Sequence, residues 1–313
     1  MRTETNFILP LSALLLLPAL AFSQCLRGSS VTVSGVLTCS GKPIPFSEIR
    51  LVQDIGIIPN SIAIGEADEN GRFSITAKPF SFVRRKRPLW ELSLYVGLKY
   101  TYKSNSRRAF AVNPRFAQVL DFHEGVHDIG EVAVHEYPCN TYIRLYNALK
   151  DFNTRTGREL RAIRVAVHNL PKGSVPFSEY RRIRLPIKYL LTDHIARHEL
   201  AHVARNVFDG DSAHFEQDVE AYGGTETHNC QTKSSTEFAF NEGWAFYWAR
   251  ECQGSTFNRQ KDVGGDVAKL LRELQEQCNT SDNDMWVVLE KNPGKIHTYD
   301  EYENAHKSLH SCP

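Results

Sequence analysis

No charge of one sign predominates in this sequence: 37 Lys and Arg face 36 Asp and Glu, a net charge of +1. Nothing is left over to hold a phosphate backbone, so no nucleic-acid partner is expected. The seven cysteines include no CxxC pair, which argues against a cysteine zinc site or a thioredoxin-like redox motif. No internal repeat and no low-complexity tract is visible, so a repeat architecture is excluded. Beyond the first two dozen residues, no apolar run is long enough to span a membrane.

What is present is an ordinary globular composition, 42% apolar and 23% charged, which argues against wholesale disorder. Twelve histidines are many for 313 residues and hint at metal or acid–base chemistry. From Phe7 to Phe22 the chain is apolar except for Ser12, and Pro10 and Pro18 interrupt it. Ala21-Phe22-Ser23 puts small residues at the −3 and −1 positions of a signal-peptidase site. Residues 1–23 are therefore expected to be a signal peptide, with a mature chain that starts at Gln24 and is secreted to the extracellular space. Cys25, Cys39, Cys139, Cys230, Cys252, Cys278 and Cys312 all follow that point, where disulfide bonds can persist. Seven is odd, so at least one is free, paired between chains, or a ligand. Asn279-Thr280-Ser281 is a lone glycosylation sequon and suits a surface position.

The chain changes character near Tyr137-Pro138-Cys139. Before it, short alternating runs read as strands: Val31 to Leu37, Glu48 to Val52, Ser61 to Gly65, Arg72 to Thr76, Leu92 to Val96 and Ile129 to Val134. Asp68-Glu69-Asn70-Gly71 reads as a tight turn, because Asn-Gly accepts positive φ. The Gly35-x-Leu37-x-Cys39-x-Gly41-Lys42-Pro43 opening, the Ala67-Asp68-x-x-Gly71-x-Phe73 turn and the closing Asp128-Ile129-Gly130 resemble the transthyretin-like (prealbumin-like) β-sandwich. Carboxypeptidase regulatory-like modules share the Gly-x-Phe signature. The basic run Arg84-Arg85-Lys86-Arg87, followed by Pro88, reads as a solvated loop tip rather than a processing site.

After Cys139 the period lengthens. Tyr142, Leu145, Tyr146, Leu149 and Phe152 mark one face of a helix with Gly157 as its stop. Ile163 to His168 reads as a strand, and Thr192 or Asp193 is placed to cap the next helix. The expected fold is thus multidomain: an N-terminal all-β sandwich (24–137) followed by an α+β, mainly helical domain (138–313).

Within that second helix, His198-Glu199-Leu200-Ala201-His202 is an HExxH sequence. Residues i and i+4 share one helical face, so both imidazoles can reach one metal ion. Glu199, rotated by about 100° from His198, is placed to meet a water rather than the metal. The metzincin continuation is missing, since Arg205 and Phe208 stand where it needs Gly and His. Downstream, Glu242 is the one carboxylate at the centre of the apolar segment Phe238 to Ala249, a costly position unless it is paired or metal-bound. Asn241-Glu242-Gly243-Trp244-Ala245 resembles the glutamate-ligand helix of gluzincins, the thermolysin-like and aminopeptidase-N-like peptidases. That resemblance implies one Zn2+ held by His198, His202 and Glu242, with Glu199 as general base for peptide-bond hydrolysis. The expected partner is a peptide or protein substrate.

Val203 to Asn241 is longer than in the best-known gluzincins and holds His214, Asp218, Glu220, His228 and Cys230 as rival ligands. Gly224-Thr225-Glu226-Thr227 only partly echoes the aspzincin pattern. Tyr222, His228, Tyr247, His297 and Tyr299 are open candidates for a transition-state donor, and His194 could line the cleft. Two other readings stand beside the peptidase. One is a secreted, non-catalytic binding protein on a zincin scaffold, and the other gives the β-sandwich the working role.

Overall fold

The computed structural model describes residues 30–55, 58–79, 90–113, 116–168, 175–222, 228–254 and 256–312. The N-terminal apolar run, its cleavage site, Cys25, Arg84 to Arg87 and Gly224 to Thr227 lie outside them. The described chain is a mixed α/β structure, with ten of its described strands before Glu136, three after it, and the described helices from Glu136 onward.

Three sheets form. In the first, β1 (Val31–Cys39) lies between parallel β10 (Gly125–Ala133) on one side and antiparallel β2 (Lys42–Pro43) and β5 (Arg72–Ala77) on the other. The second is antiparallel throughout, in the order β4 (Ile58–Glu66), β3 (Glu48–Ile55), β6 (Trp90–Gly97), β9 (Phe116–Phe122). Alternate residues feed one core, as the period of a strand requires: Val31 and Val33, Phe73 and Ile75, Ile49 and Leu51, Leu92 and Leu94. The Asp68 turn is built as its sequence suggests, for Asp68 Oδ1 accepts from the amides of Asn70 and Arg72, both at 2.8 Å. Gly71 has φ +72°, and a Cβ there would sit 2.6 Å from the Leu37 carbonyl, so no other residue fits.

The third sheet runs β12 (Phe177–Glu179), β13 (Arg182–Pro186), β11 (Ile163–His168), β8 (Arg108–Asn113), β7 (Lys99–Thr101). Its three central strands are parallel and its two edges antiparallel. This sheet draws on strands from both 24–137 and 138–313. Strands β7 and β8 come from before Cys139, yet β8 bonds to β11 from after it. The β8–β11 pairing is non-local, and a three-residue β7 leaves little periodic signal.

Helix α1 (Glu136–Thr156) ends at Gly157, whose φ of 69° lets its amide return to the Asn153 carbonyl. Helix α2 (Asp193–Asp209) is capped by the Thr192 side chain, which accepts from the Ile195 amide. They cover one face of the third sheet: Phe110 of β8 and Ile163 of β11 meet Leu145 and Leu149 of α1 and Leu200 of α2. Helix α3 (Ala213–Tyr222) is followed by α4 (Thr236–Ala249), α5 (Gly264–Gln277), α6 (Asp282–Lys291) and α7 (Tyr299–Leu309). Every residue of α4 from Phe238 to Ala249 is buried, so this helix has no polar face and lies at the centre of the helical layer. An aromatic cluster joins it to its neighbours, with Trp244 and Trp248 at 4.9 and 5.3 Å from Trp286 of α6, and Phe152 of α1 at 5.5 Å from Trp248.

All six described cysteines are paired, which leaves Cys25 as the seventh. Cys39–Cys139 ties β1 to α1 across 100 residues, Cys230–Cys252 brackets α4, and Cys278–Cys312 ties the end of α5 to the segment after α7. On a chain-entropy basis the first is worth about 4–5 kcal/mol. Among the described residues no helix is long and apolar enough to cross a membrane.

Helix α5 approaches α4 most closely at Gly243, where an added Cβ would lie 2.6 Å from the Val267 side chain and 2.9 Å from the Gly264 carbonyl. Gly243→Ala should therefore destabilise the fold by about 1–3 kcal/mol. A denaturant titration with an unchanged midpoint would show that this contact does not set the distance between the two helices.

Candidate metal centre

Helix α2 turns His198 and His202 to one face, and α4 brings Glu242 against them. The three are buried, and one donor atom from each lies within 4.8 Å of the others, so the group could hold a metal ion. His198 Nε2 and His202 Nε2 stand 3.2 Å apart. His198 Nε2 is 3.2 Å from Glu242 Oε2, and His202 Nε2 is 3.5 Å from Glu242 Oε1. Two imidazole nitrogens and a carboxylate this close together offer one cation a set of three donors. Glu242 Oε2 is buried without a hydrogen bond of good geometry, although His228 Nε2 comes within 2.5 Å of it. The second nitrogen of His202, Nδ1, is also buried without a partner.

Electrostatics at the centre are strongly coupled. Burial alone would depress the His198 imidazole, but its close contact with Glu242 and the charges of Glu242 and Glu199 push it up to about 9. Burial likewise works against the Glu242 carboxylate, and the surrounding His202, His228 and His198 overcome it to hold Glu242 well below the usual carboxylate range.

Glu199 is positioned by a residue the sequence did not single out. Ser178 of the edge strand β12 lies with its Oγ 2.7 Å from Glu199 Oε2 and 3.0 Å from the Glu199 carbonyl, donating to these acceptors. A cleft of about 250 Å³ opens beside it, lined by His198, Glu199, His202 and Glu242 and walled by aromatic residues including Phe177, Phe215 and Phe246. Tyr189 also lines it; burial and the Glu199 charge raise its phenol.

The remaining candidates separate by position. His228 is in the cleft. Tyr247 is buried elsewhere, its hydroxyl donating to Gln275 at 2.7 Å. Tyr299 is buried at the start of α7, and the Tyr222 side chain lies outside the described residues. His194 is exposed, with Nδ1 3.3 Å from the Ala249 carbonyl, and does not line the cleft. Glu220 is exposed, and Cys230 is held in its disulfide.

His214, Asp218 and His297 form a second cluster behind the first, and its connections make it a clamp. Asp218 accepts from Asn241 Nδ2 at 2.5 Å, and its other oxygen lies 2.9 Å from His297 Nδ1. Arg205, three residues after His202, donates to Asn241 Oδ1 and, at 2.5 Å, to the Ile296 carbonyl. Helices α2 and α4 are thereby locked in phase at the residue adjacent to Glu242. Burial and the Arg205 charge drive His214 down to about 4, so it is neutral at physiological pH.

No protein-family model matches the chain, and no curated protein matches it. Solved structures give faint likenesses. A 9R-lipoxygenase from Cyanothece shows 15% identity over 49% of this chain and 25% of that one, with a TM-score of 0.23. A 5-hydroxyisourate hydrolase from Klebsiella pneumoniae shows 12% identity over 34% of this chain and 90% of that one, with a TM-score of 0.21. An (S)-allantoin synthase shows 9% identity over 37% of this chain and 44% of that one, also at 0.21. The chain thus spans a quarter of the lipoxygenase and under half of the synthase. At these scores the likenesses carry no argument.

Arg205 stands among Asp209 and Asp218 in a region closed to water. Replacing it with Met leaves buried carboxylates uncompensated. Arg205→Met should cost about 3–5 kcal/mol in stability, and a loss below 1 kcal/mol in equilibrium unfolding would show that the clamp carries little.

Proposed function

We propose that the chain is a secreted, zinc-dependent peptidase in which a transthyretin-like β-sandwich precedes a gluzincin-type hydrolase domain. The convergence of His198, His202 and Glu242, with Glu199 turned to the same cleft by Ser178, carries this reading. Zinc suits the donor set. Donors about 2.0–2.1 Å from a tetrahedral ion stand about 3.3–3.4 Å from one another, and the three spacings here are 3.2, 3.2 and 3.5 Å. Two nitrogens and one oxygen also match the three-ligand sets of catalytic zinc. The three disulfides and the N-terminal apolar run support export to an oxidising compartment. Two four-stranded sheets that bury alternate residues in a common core support the sandwich.

His198, His202 and Glu242 would hold the ion. When bound, it supplies Lewis acidity, polarising a scissile carbonyl and bringing the pKa of a water toward neutrality. Glu199 takes a proton from the attacking water and delivers it to the leaving amine. Ser178 keeps that carboxylate aimed at the cleft. His228 lies in the cleft, where it can donate to an oxyanion as it develops. Strand β12 has no strand beyond it among the described residues, so its outer edge can pair with an extended peptide.

Purified protein dialysed against metal-free neutral buffer should retain about one zinc per chain, and Glu242→Ala should lose it. Glu199→Gln should keep the zinc while peptide hydrolysis drops by about 10²–10⁴-fold. Full hydrolytic activity in a zinc-loaded Glu199→Gln protein would sink the mechanism, and no zinc uptake by the wild type would sink the site.

A further inference from the structure

Charge on this molecule nearly cancels in sum, at +1, and is segregated in space. A groove of about 670 Å³ is lined by Arg50, Lys99, Arg108, Arg164, Arg182 and Arg184, with Glu48 the one carboxylate among its lining residues. Residues of β3 and the end of β6 form one wall, and β8, β11 and β13 form the other. Strand alternation explains the second wall. Ile163, Val165, Ile183 and Leu185 are buried in the core, so the intervening Arg164, Arg182 and Arg184 emerge on the opposite face.

The register arranges three of these cations in a line. Lys99 is opposite Ala111, Ala111 opposite Arg164, and Arg164 opposite Arg182. At ~4.8 Å per strand, the row from Lys99 to Arg182 is ~14 Å long. Ala166 is opposite Arg184 in the neighbouring row, and Gly97, Ala111 and Ala166 leave space between the long side chains.

Internal neutralisation is incomplete. Glu48 accepts Arg50 at 2.8 Å and Lys99 at 2.7 Å, while Glu179 accepts Arg184 at 2.8 Å and Arg182 at 3.4 Å. Among the described residues, neither Arg108 nor Arg164 forms an ion pair, and both are exposed. Like charges opposite one another on adjacent strands, as at Arg164 and Arg182, are destabilising. A second concavity adjoins the groove at Arg108, Arg164 and Arg182, and its mixed lining adds Arg181, Tyr180, Glu179 and Glu216.

We propose that this groove binds a linear sulfated polysaccharide. Five of its six cations are arginines, whose planar forks bond tetrahedral oxyanions two hydrogen bonds at a time. A row ~14 Å long matches repeated anions on a polymer better than one ion. Among the described residues no aromatic side chain lines the groove, so these supply no platform on which nucleic-acid bases stack. The three disulfides fit an oxidising setting, where sulfated glycans are the prevalent polymeric oxyanions. The groove shares no lining residue with the metal cleft, so the inference is independent of the peptidase reading.

The test is binding of the full chain to heparin across a sodium chloride series, with desulfated heparin and single-stranded DNA of equal length as comparison ligands. Heparin should bind with an affinity that falls steeply with salt, and Arg108→Glu/Arg164→Glu should weaken it at least about tenfold at ~0.15 M salt. Lys291→Glu/Lys295→Glu makes the same charge change at exposed positions outside the groove and should leave binding within about twofold. The proposal is overturned by any of four results: no retention of the wild type, an equal loss in the Lys291/Lys295 variant, equal binding of desulfated heparin, or equal binding of the DNA.

Discussion

A carboxylate buried in the most apolar helix of the molecule is the constraint around which the helical layer is arranged. Glu242 sits in α4 between Phe238 and Ala249, with every neighbour along that stretch buried. An ionised group in such a place is costly unless opposite charge and donors surround it. His198, His202 and His228 converge on it, and they hold it ionised despite its burial. The same helix must approach its neighbours closely enough for these contacts to form. Gly243 allows that approach to α5, and the Arg205–Asn241–Asp218 chain fixes the rotation of α4 against α2 and α3.

Rigidity around the centre comes from several layers acting together. The aromatic cluster of Phe152, Trp244, Trp248 and Trp286 packs α1, α4 and α6, so α4 cannot shift without disturbing three helices. The Cys230–Cys252 disulfide closes the chain around α4, and Gly265 of α5 packs against the Cys230 backbone. On the other side, the edge strand β12 reaches Glu199 through Ser178. In the proposed peptidase this divides the labour: helices hold the ion, and the sheet orients the base and presents an edge to substrate.

The third sheet links that centre to the rest of the chain. Its buried face rests on α1 and α2, while its other face carries the arginine row of the basic groove. One sheet therefore separates two surfaces of unlike chemistry, an apolar cleft with a candidate metal-binding triad and a cationic groove. Period-two alternation makes this possible, since Ile183 and Leu185 face the core and Arg182 and Arg184 face away along one five-residue strand.

Local features were legible in the sequence because their physics is local. The Thr192 cap, the Gly157 stop, the Asp68–Gly71 turn and the strands of alternating burial depend on neighbours a few residues apart, and the i, i+4 spacing of His198 and His202 places them on one face of any helix that forms there. The cost of an isolated carboxylate singled out Glu242 in the same way. Tertiary structure decided the rest. His214, Asp218 and His228 carry the same kinds of donor as Glu242, and only the packing of α2 against α4 determines which of them meets the histidine pair. Ser178, Arg205 and the pairing of β8 with β11 left no mark in spacing or composition, because each depends on contacts between segments tens of residues apart. The basic groove was hidden for the same reason: a net charge of +1 is a sum, and only the register of β7, β8, β11 and β13 sets its terms side by side.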